Sequence, residues 1–110
     1  MLGYDIMNEP SPGSALDIAD FTNTPPDGPA ADFDRTQLAD FYQRTIDAIR
    51  EIDERGWILY EPRYAAVANG QASYIRKLED PRAGPPRLVY SPHLYSISME
   101  FTGAYAPDND

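Results

Sequence analysis

Three short apolar runs, at residues 2–7, 57–60 and 88–91, constrain the fold most. The first is apolar apart from Asp5, as suits a strand covered on both faces. Asp5 should therefore point to a paired or wet position, because burying it unpaired is costly. Between the first two runs lies a helical period. Leu38, Phe41, Tyr42, Ile46, Ile49 and Ile52 recur on one face. A shorter helix is expected at residues 72–78, broken by Pro81, Gly84, Pro85 and Pro86. The order is strand, helix, strand, helix, strand. Such alternation implies parallel strands joined by right-handed crossovers. The class is α/β, with a barrel or a doubly wound sheet as the two architectures that fit.

The long helix has recognisable ends. Asp34, with Gln37 three positions on, resembles a capping box, and Gly56 is a natural stop. Asp40, Arg44, Asp47, Arg50, Glu51 and Glu54 lie opposite the apolar face. They read as a solvated surface, with Asp40–Arg44 a favourable pair four residues apart. Tyr4, Trp57 and Tyr60 lie inside strands and read as core. Residues 11–33 are rich in Pro, Gly, Asp and Ala. A connection of this length is uncommon unless it is functional or unstructured. Because it begins directly after Glu9, we expect it to line a site. Residues 107–110 read as a disordered tail.

Composition removes several functions. The chain has no cysteine, so disulfides, thiolate metal sites and a cysteine nucleophile are excluded. His93 is the single histidine, which excludes a multi-histidine metal site. The net charge is −9 and no basic run exists, so nucleic acid and anionic membrane surfaces are poor partners. No apolar run approaches the ~18 residues of a membrane span. Met1 is followed at once by strand-like sequence, so no signal peptide is expected.

Each strand ends in residues capable of chemistry. The first runs into Asn8-Glu9-Pro10, the second into Glu61-Pro62, the third into Pro92-His93-Leu94-Tyr95. In parallel α/β folds, sites gather at the C-terminal ends of strands. No glycine-rich phosphate loop follows the first strand, which argues against nucleotide binding. A glutamate fixed at a strand end, between an amide and a rigid proline, suits proton transfer. A Glu-Pro after a strand is also an ordinary turn, and Asn is a common turn residue. Oxygen ligands from Asp5, Glu9 and Glu61 could in principle suit Ca²⁺ or Mg²⁺, but their spacing is not diagnostic.

On the pieces Gly3-Tyr4-Asp5-Ile6-Met7-Asn8-Glu9-Pro10, Leu38-Ala39-Asp40-Phe41-Tyr42-Gln43-Arg44, Glu61-Pro62 and His93-Leu94-Tyr95, the chain resembles glycoside hydrolase family 5. That family belongs to the (β/α)₈ retaining glycosidases, and the pieces look most like its endoglycoceramidase-like branch. The resemblance implies a partial catalytic domain over residues 1–110, a fragment of a TIM barrel holding about strands 4 to 6 with their connecting helices. It implies hydrolysis of an O-glycosidic bond of glycolipid or β-glucan type, with no cofactor. A secreted or extracellular location is compatible with it.

Roles follow by the same resemblance. Glu9 matches the acid/base, which protonates the departing oxygen and later deprotonates water. That role needs a raised pKa, from an apolar setting or a nearby negative nucleophile. Asn8 matches the asparagine that binds the sugar 2-hydroxyl. His93 and Tyr95 match a pair lining the subsite near the nucleophile. The nucleophile itself is expected on the seventh strand, outside this chain. Glu61 would stand on the strand next to Glu9 and reads as a supporting rim residue. Glu100 follows Tyr95 too closely for a crossover and another strand, since a parallel crossover needs a dozen or more residues. The chain is expected to be inactive alone and to associate, with itself or with the missing barrel portions. The alternative is a non-catalytic carbohydrate-binding or interaction module that kept half a sugar site.

Overall fold

The computed structural model describes residues 2–13, 25–64 and 70–94. Three strands form one parallel sheet in the order β1 (Gly3–Asp5), β2 (Trp57–Tyr60), β3 (Leu88–Tyr90). The register sets Tyr4 beside Ile58 and Ile58 beside Leu88 on one face. Asp5, Leu59 and Val89 line the other. The three strands fall within the three apolar runs, and both pairings are parallel, as expected.

One continuous helical segment packs on the first face. It has three parts: α1 (Pro29–Phe33), a π-helical turn (Asp34–Leu38) and α2 (Ala39–Arg50). Leu38, Ala39, Tyr42 and Ile46 are buried against Ile58 and Leu78. Tyr42 packs on Tyr60 with ring centroids 5.8 Å apart, and Tyr60 meets Tyr90 edge-on at 5.7 Å. Truncating any one of the larger buried side chains to alanine would cost about 2–5 kcal/mol.

The helix begins earlier than the capping-box reading placed it. Pro29 opens it, a position where the missing N–H is no loss. Residues 29–33 thus belong to the helix and not to the long loop. Asp34 is not a cap. It is fully buried and paired with Arg63, Nε to Oδ1 at 2.7 Å, while Oδ2 accepts the Tyr74 amide at 2.9 Å. The extra residue of the π turn falls where this carboxylate points inward; such turns recur where a side chain has a special task. Ile52 lies past the end of α2 and is 90% exposed, so the apolar face stops at Ile49.

The expected helix at 72–78 does not form. Side chains of the main helical segment claim backbone groups within it and just after it. Gln43 accepts the Glu79 amide and donates to the Glu79 carbonyl, both at 2.9 Å, and Asp34 takes the Tyr74 amide. The strip runs as irregular backbone that buries Leu78 and half-buries Ile75.

Two surface assignments also change. Arg50 is buried rather than solvated: its fork binds both Asp80 oxygens, at 2.7 and 3.0 Å, and Nη1 donates to the Asp53 and Gly56 carbonyls. Asp40 pairs with Arg76 at 2.6 Å instead of with Arg44. Trp57 is not core. It is 45% exposed, with the Arg87 guanidinium 5.9 Å from its ring centre. Tyr4 is half-buried against the core, and its hydroxyl donates to Asp53.

Candidate functional site

The C-terminal ends of all three strands meet at one place. β1 leads through Ile6, Met7 and Asn8 to Glu9, β2 leads directly to Glu61, and β3 leads to His93. Parallel pairing forces this convergence, because it brings like ends together.

Glu9 has φ +48°, in the left-handed region. For a residue with an ordinary side chain that costs on the order of 1–2 kcal/mol. The turn aims its amide at Glu61, whose Oε2 accepts the N–H at 2.8 Å. The Pro10 carbonyl, just beyond, accepts the Tyr64 amide at 3.3 Å, so the backbones after β1 and β2 are tied together. Asn8 stands exposed immediately before Glu9.

His93 joins the two glutamates. Nδ1 is 3.1 Å from Glu9 Oε1, and Nε2 is 3.2 Å from Glu61 Oε1. The second contact lies off the hydrogen-bond axis, so buried Glu61 Oε1 has no well-aligned donor. The Glu9 and His93 side chains are about one-third exposed, at 28% and 34%, whereas that of Glu61 is only 2% exposed. Glu9 and His93 thus face solvent while Glu61 sits beneath them.

The charges shape one another. The Glu9 carboxylate beside it, and after it Glu61 and Asp5, raise the His93 pKa above its ordinary value against the smaller cost of burial. Burial pushes the Glu61 carboxyl up, and the Asp5 carboxyl within hydrogen-bond reach pushes it further; the Glu9 amide and His93 pull it down. Asp5, the lone charge in the first strand, thus meets the Glu61 carboxyl just past β2.

Asn8, Glu9, Glu61 and His93, all singled out from sequence, come together here. Tyr95 and Glu100 lie outside the described residues. Asp5, expected at a paired or wet position, is the neighbour of Glu61, and one further residue, Tyr42, was missed. The Tyr42 hydroxyl donates to the Glu61 carbonyl at 2.8 Å and accepts its amide at 3.3 Å, fixing the strand end from the core side. A tyrosine at the centre of an apolar helix face was the available signal, since a buried hydroxyl needs partners. Among the described residues no group of His, Asp or Glu is arranged to hold a metal ion, and no helix is long and apolar enough to cross a membrane.

Comparison with known proteins gives this geometry a family. The family model described as cellulase, glycosyl hydrolase family 5, matches residues 1–110. Solved structures of endo-glycoceramidase II from Rhodococcus sp. match closely. Its ganglioside GM3 complex is 36% identical, covering 98% of this chain and 21% of that one, with TM-score 0.75. Its cellobiose-like isofagomine complex is 36% identical over 90% of this chain and 19% of that one, with TM-score 0.72. Its lactosyl-enzyme intermediate is 40% identical over 86% of this chain and 19% of that one, with TM-score 0.68. The chain therefore spans about a fifth of the length of these structures. No curated protein matches it. With the family model matched from end to end and the α/β architecture shared with endo-glycoceramidase II, the chain belongs to glycosyl hydrolase family 5.

Proposed function

We propose that this chain carries the proton-transfer half of a retaining β-glycosidase that cleaves O-glycosidic bonds of glycolipid or β-glucan type. Glu9 is the acid/base, Asn8 binds the sugar 2-hydroxyl, and His93 and Tyr95 line the subsite. The observation that carries the reading is the placement of Glu9 past a strand end: its carboxylate is about one-third exposed and held by an imidazole, and its backbone amide is held by Glu61. The relatives add chemical support. Endo-glycoceramidase II forms a lactosyl-enzyme intermediate and a complex with ganglioside GM3. A covalent glycosyl-enzyme is the signature of the retaining route, which needs two carboxyl groups about 5–5.5 Å apart.

In the first step Glu9 gives its proton to the departing oxygen while a second carboxylate attacks the sugar. In the second step Glu9 takes a proton from the water that releases the sugar. Glu61 is unsuited to the attack, because its carboxyl is buried and bound to the Glu9 amide. The nucleophile is expected from barrel strands beyond the fifth of the relatives' length that this chain spans. The chain alone is accordingly inactive.

The test is complementation. The purified chain should not hydrolyse an aryl β-lactoside; joined to the remaining barrel strands of a family member, it should. In that assembly Glu9→Gln should cut turnover of an alkyl glycoside by about 10²–10⁴-fold. A dinitrophenyl glycoside, whose leaving group needs no proton, should lose far less in the bond-breaking step. Turnover by the chain alone, abolished by Glu9→Gln, would refute the need for an outside nucleophile. Equal losses on both substrates would remove Glu9 as the acid. Sugar-dependent shifts at Asn8 or His93, with no turnover even after complementation, would favour the binding-module alternative.

A further inference from the structure

Glu9 is held at both ends by one neighbour. A glutamate does not rest in the left-handed region unless its surroundings keep it there. Glu61 Oε2 takes the Glu9 amide at 2.8 Å, while Oε1 lies 3.2 Å from His93 Nε2. His93 Nδ1 reaches back to Glu9 Oε1 at 3.1 Å. The contacts close a ring across three strand ends, in which Glu61 grips the backbone of Glu9 directly and its carboxyl through the imidazole.

We propose that Glu61 is a positioning residue: its buried carboxylate locks the Glu9 backbone and, by holding His93 as a bridge, aims the Glu9 carboxyl. The proposal rests on Glu9 being the proton donor of the preceding reading.

The two nitrogen contacts favour a carboxyl group over an amide at position 61. Two of its contacts are nitrogens, the Glu9 amide on Oε2 and His93 Nε2 lying off the hydrogen-bond axis from Oε1, and the third is the Asp5 carboxyl. A carboxylate offers two acceptor oxygens, one for each nitrogen; the amide of glutamine offers one acceptor and one donor, and mismatches one contact. The ring makes the same demand. A neutral imidazole has a single N–H, so only the imidazolium donates on both sides. The charged groups facing the ring are Glu9, Glu61 and Asp5, and all three favour that cation. Tyr42 holds the backbone of Glu61 and not its carboxyl, so the carboxyl can be altered while the strand end keeps its anchor.

His93 is the only histidine, so ¹⁵N-histidine labelling reads one imidazole without assignment. Magic-angle-spinning NMR applies whether the chain is soluble or associated. In the wild type each ring nitrogen should lie within about 4 Å of a glutamate carboxyl carbon, and the ring should titrate above 6.5. Glu61→Gln should lower that midpoint by about 0.5 or more and speed exchange of the Glu9 amide about tenfold. Glu61→Asp, which restores the charge, should recover part of the midpoint. A Glu61→Gln chain with wild-type titration and Glu9 exchange would overturn the proposal. If that variant fails to fold, the wild type decides: a ring with a carboxyl on one nitrogen only overturns it, and two contacts sustain it. The complemented barrel separates the two readings. Turnover that needs Glu9 but is untouched by Glu61→Gln removes the positioning role alone. Turnover that ignores Glu9 while the ring is intact removes the acid/base assignment alone.

Discussion

Asp80 shows how much a single side chain organises in this protein. Burial by itself would push its carboxyl up. The Arg50 fork and the Arg87 and Arg82 amides outweigh that and hold it at about 2, against 3.8 for a free group. A depressed folded-state pKa means stability that is full above pH 3.8 and drains away as pH falls through 2. The difference corresponds to about 2 kcal/mol. Asp80→Asn should therefore destabilise the chain by about 2 kcal/mol at pH 7 in urea unfolding followed by Trp57 fluorescence. The gap between the two proteins should shrink steadily below pH 4 and nearly close by pH 2. A gap independent of pH would mean that the ion pair contributes no charge-dependent stability. Neither Arg50 nor Asp80 was legible as a clamp from sequence. Thirty positions separate them, and Arg50 falls on the polar side of the helical period, where exposure is the default. Glu9 and His93 were legible because strand-end placement follows from the apolar runs alone. The grip of Glu61 on the Glu9 amide was not, because it depends on a left-handed turn that no local pattern announces.

Among the elements, β1 is the shortest lever on the site, since it leads to Glu9. Its pairing with β2 leaves no room at Gly3, where an added Cβ would stand 2.3 Å from the Trp57 carbonyl oxygen and 3.0 Å from the carbonyl carbon. Both atoms are backbone and cannot swing aside. Gly3→Ala should cost about 1–3 kcal/mol, as overpacking does. It should also speed hydrogen exchange at Trp57 and Ile6, whose amides bond Leu2 and Leu59 across the pair. Wild-type stability and exchange in that variant would contradict the register that sets Gly3 beside Trp57. The strands and the long helix were readable because periods of two and of 3.6 residues impose themselves over many positions. The strip at 72–78 was misread because Asp34 and Gln43, some forty positions away, claim the backbone at Tyr74 within it and at Glu79 just after it. The helix start was misread because a buried Asp34 imitates a cap in sequence, and only Arg63 reveals its actual partner.

At the scale of the whole molecule the sheet is covered unequally. One face meets α2 and the Tyr42–Tyr60–Tyr90 ladder. On the other, Trp57 and Val89 remain 45% and 37% exposed, and Met7 beyond β1 is 37% exposed. Parallel sheets are stable when both faces are buried, because strands this apolar offer little to water on either side. In a closed barrel the second face would be the packed interior. A chain holding three such strands should therefore bury this face against another copy when purified alone. Sedimentation velocity at tens of micromolar should show dimers or larger species, with a Trp57 emission blue-shifted relative to the urea-unfolded chain. Replacing both Trp57 and Val89 by lysine should return the chain to monomer by charge repulsion across the shared surface. A wild-type monomer with water-exposed Trp57 emission would show that the inner face tolerates solvent. Adding the missing barrel strands in trans should compete with self-association, since both use one surface. The fraction of monomer-equivalent complex and the turnover rate should then rise together, which ties solubility and activity to the same uncovered face.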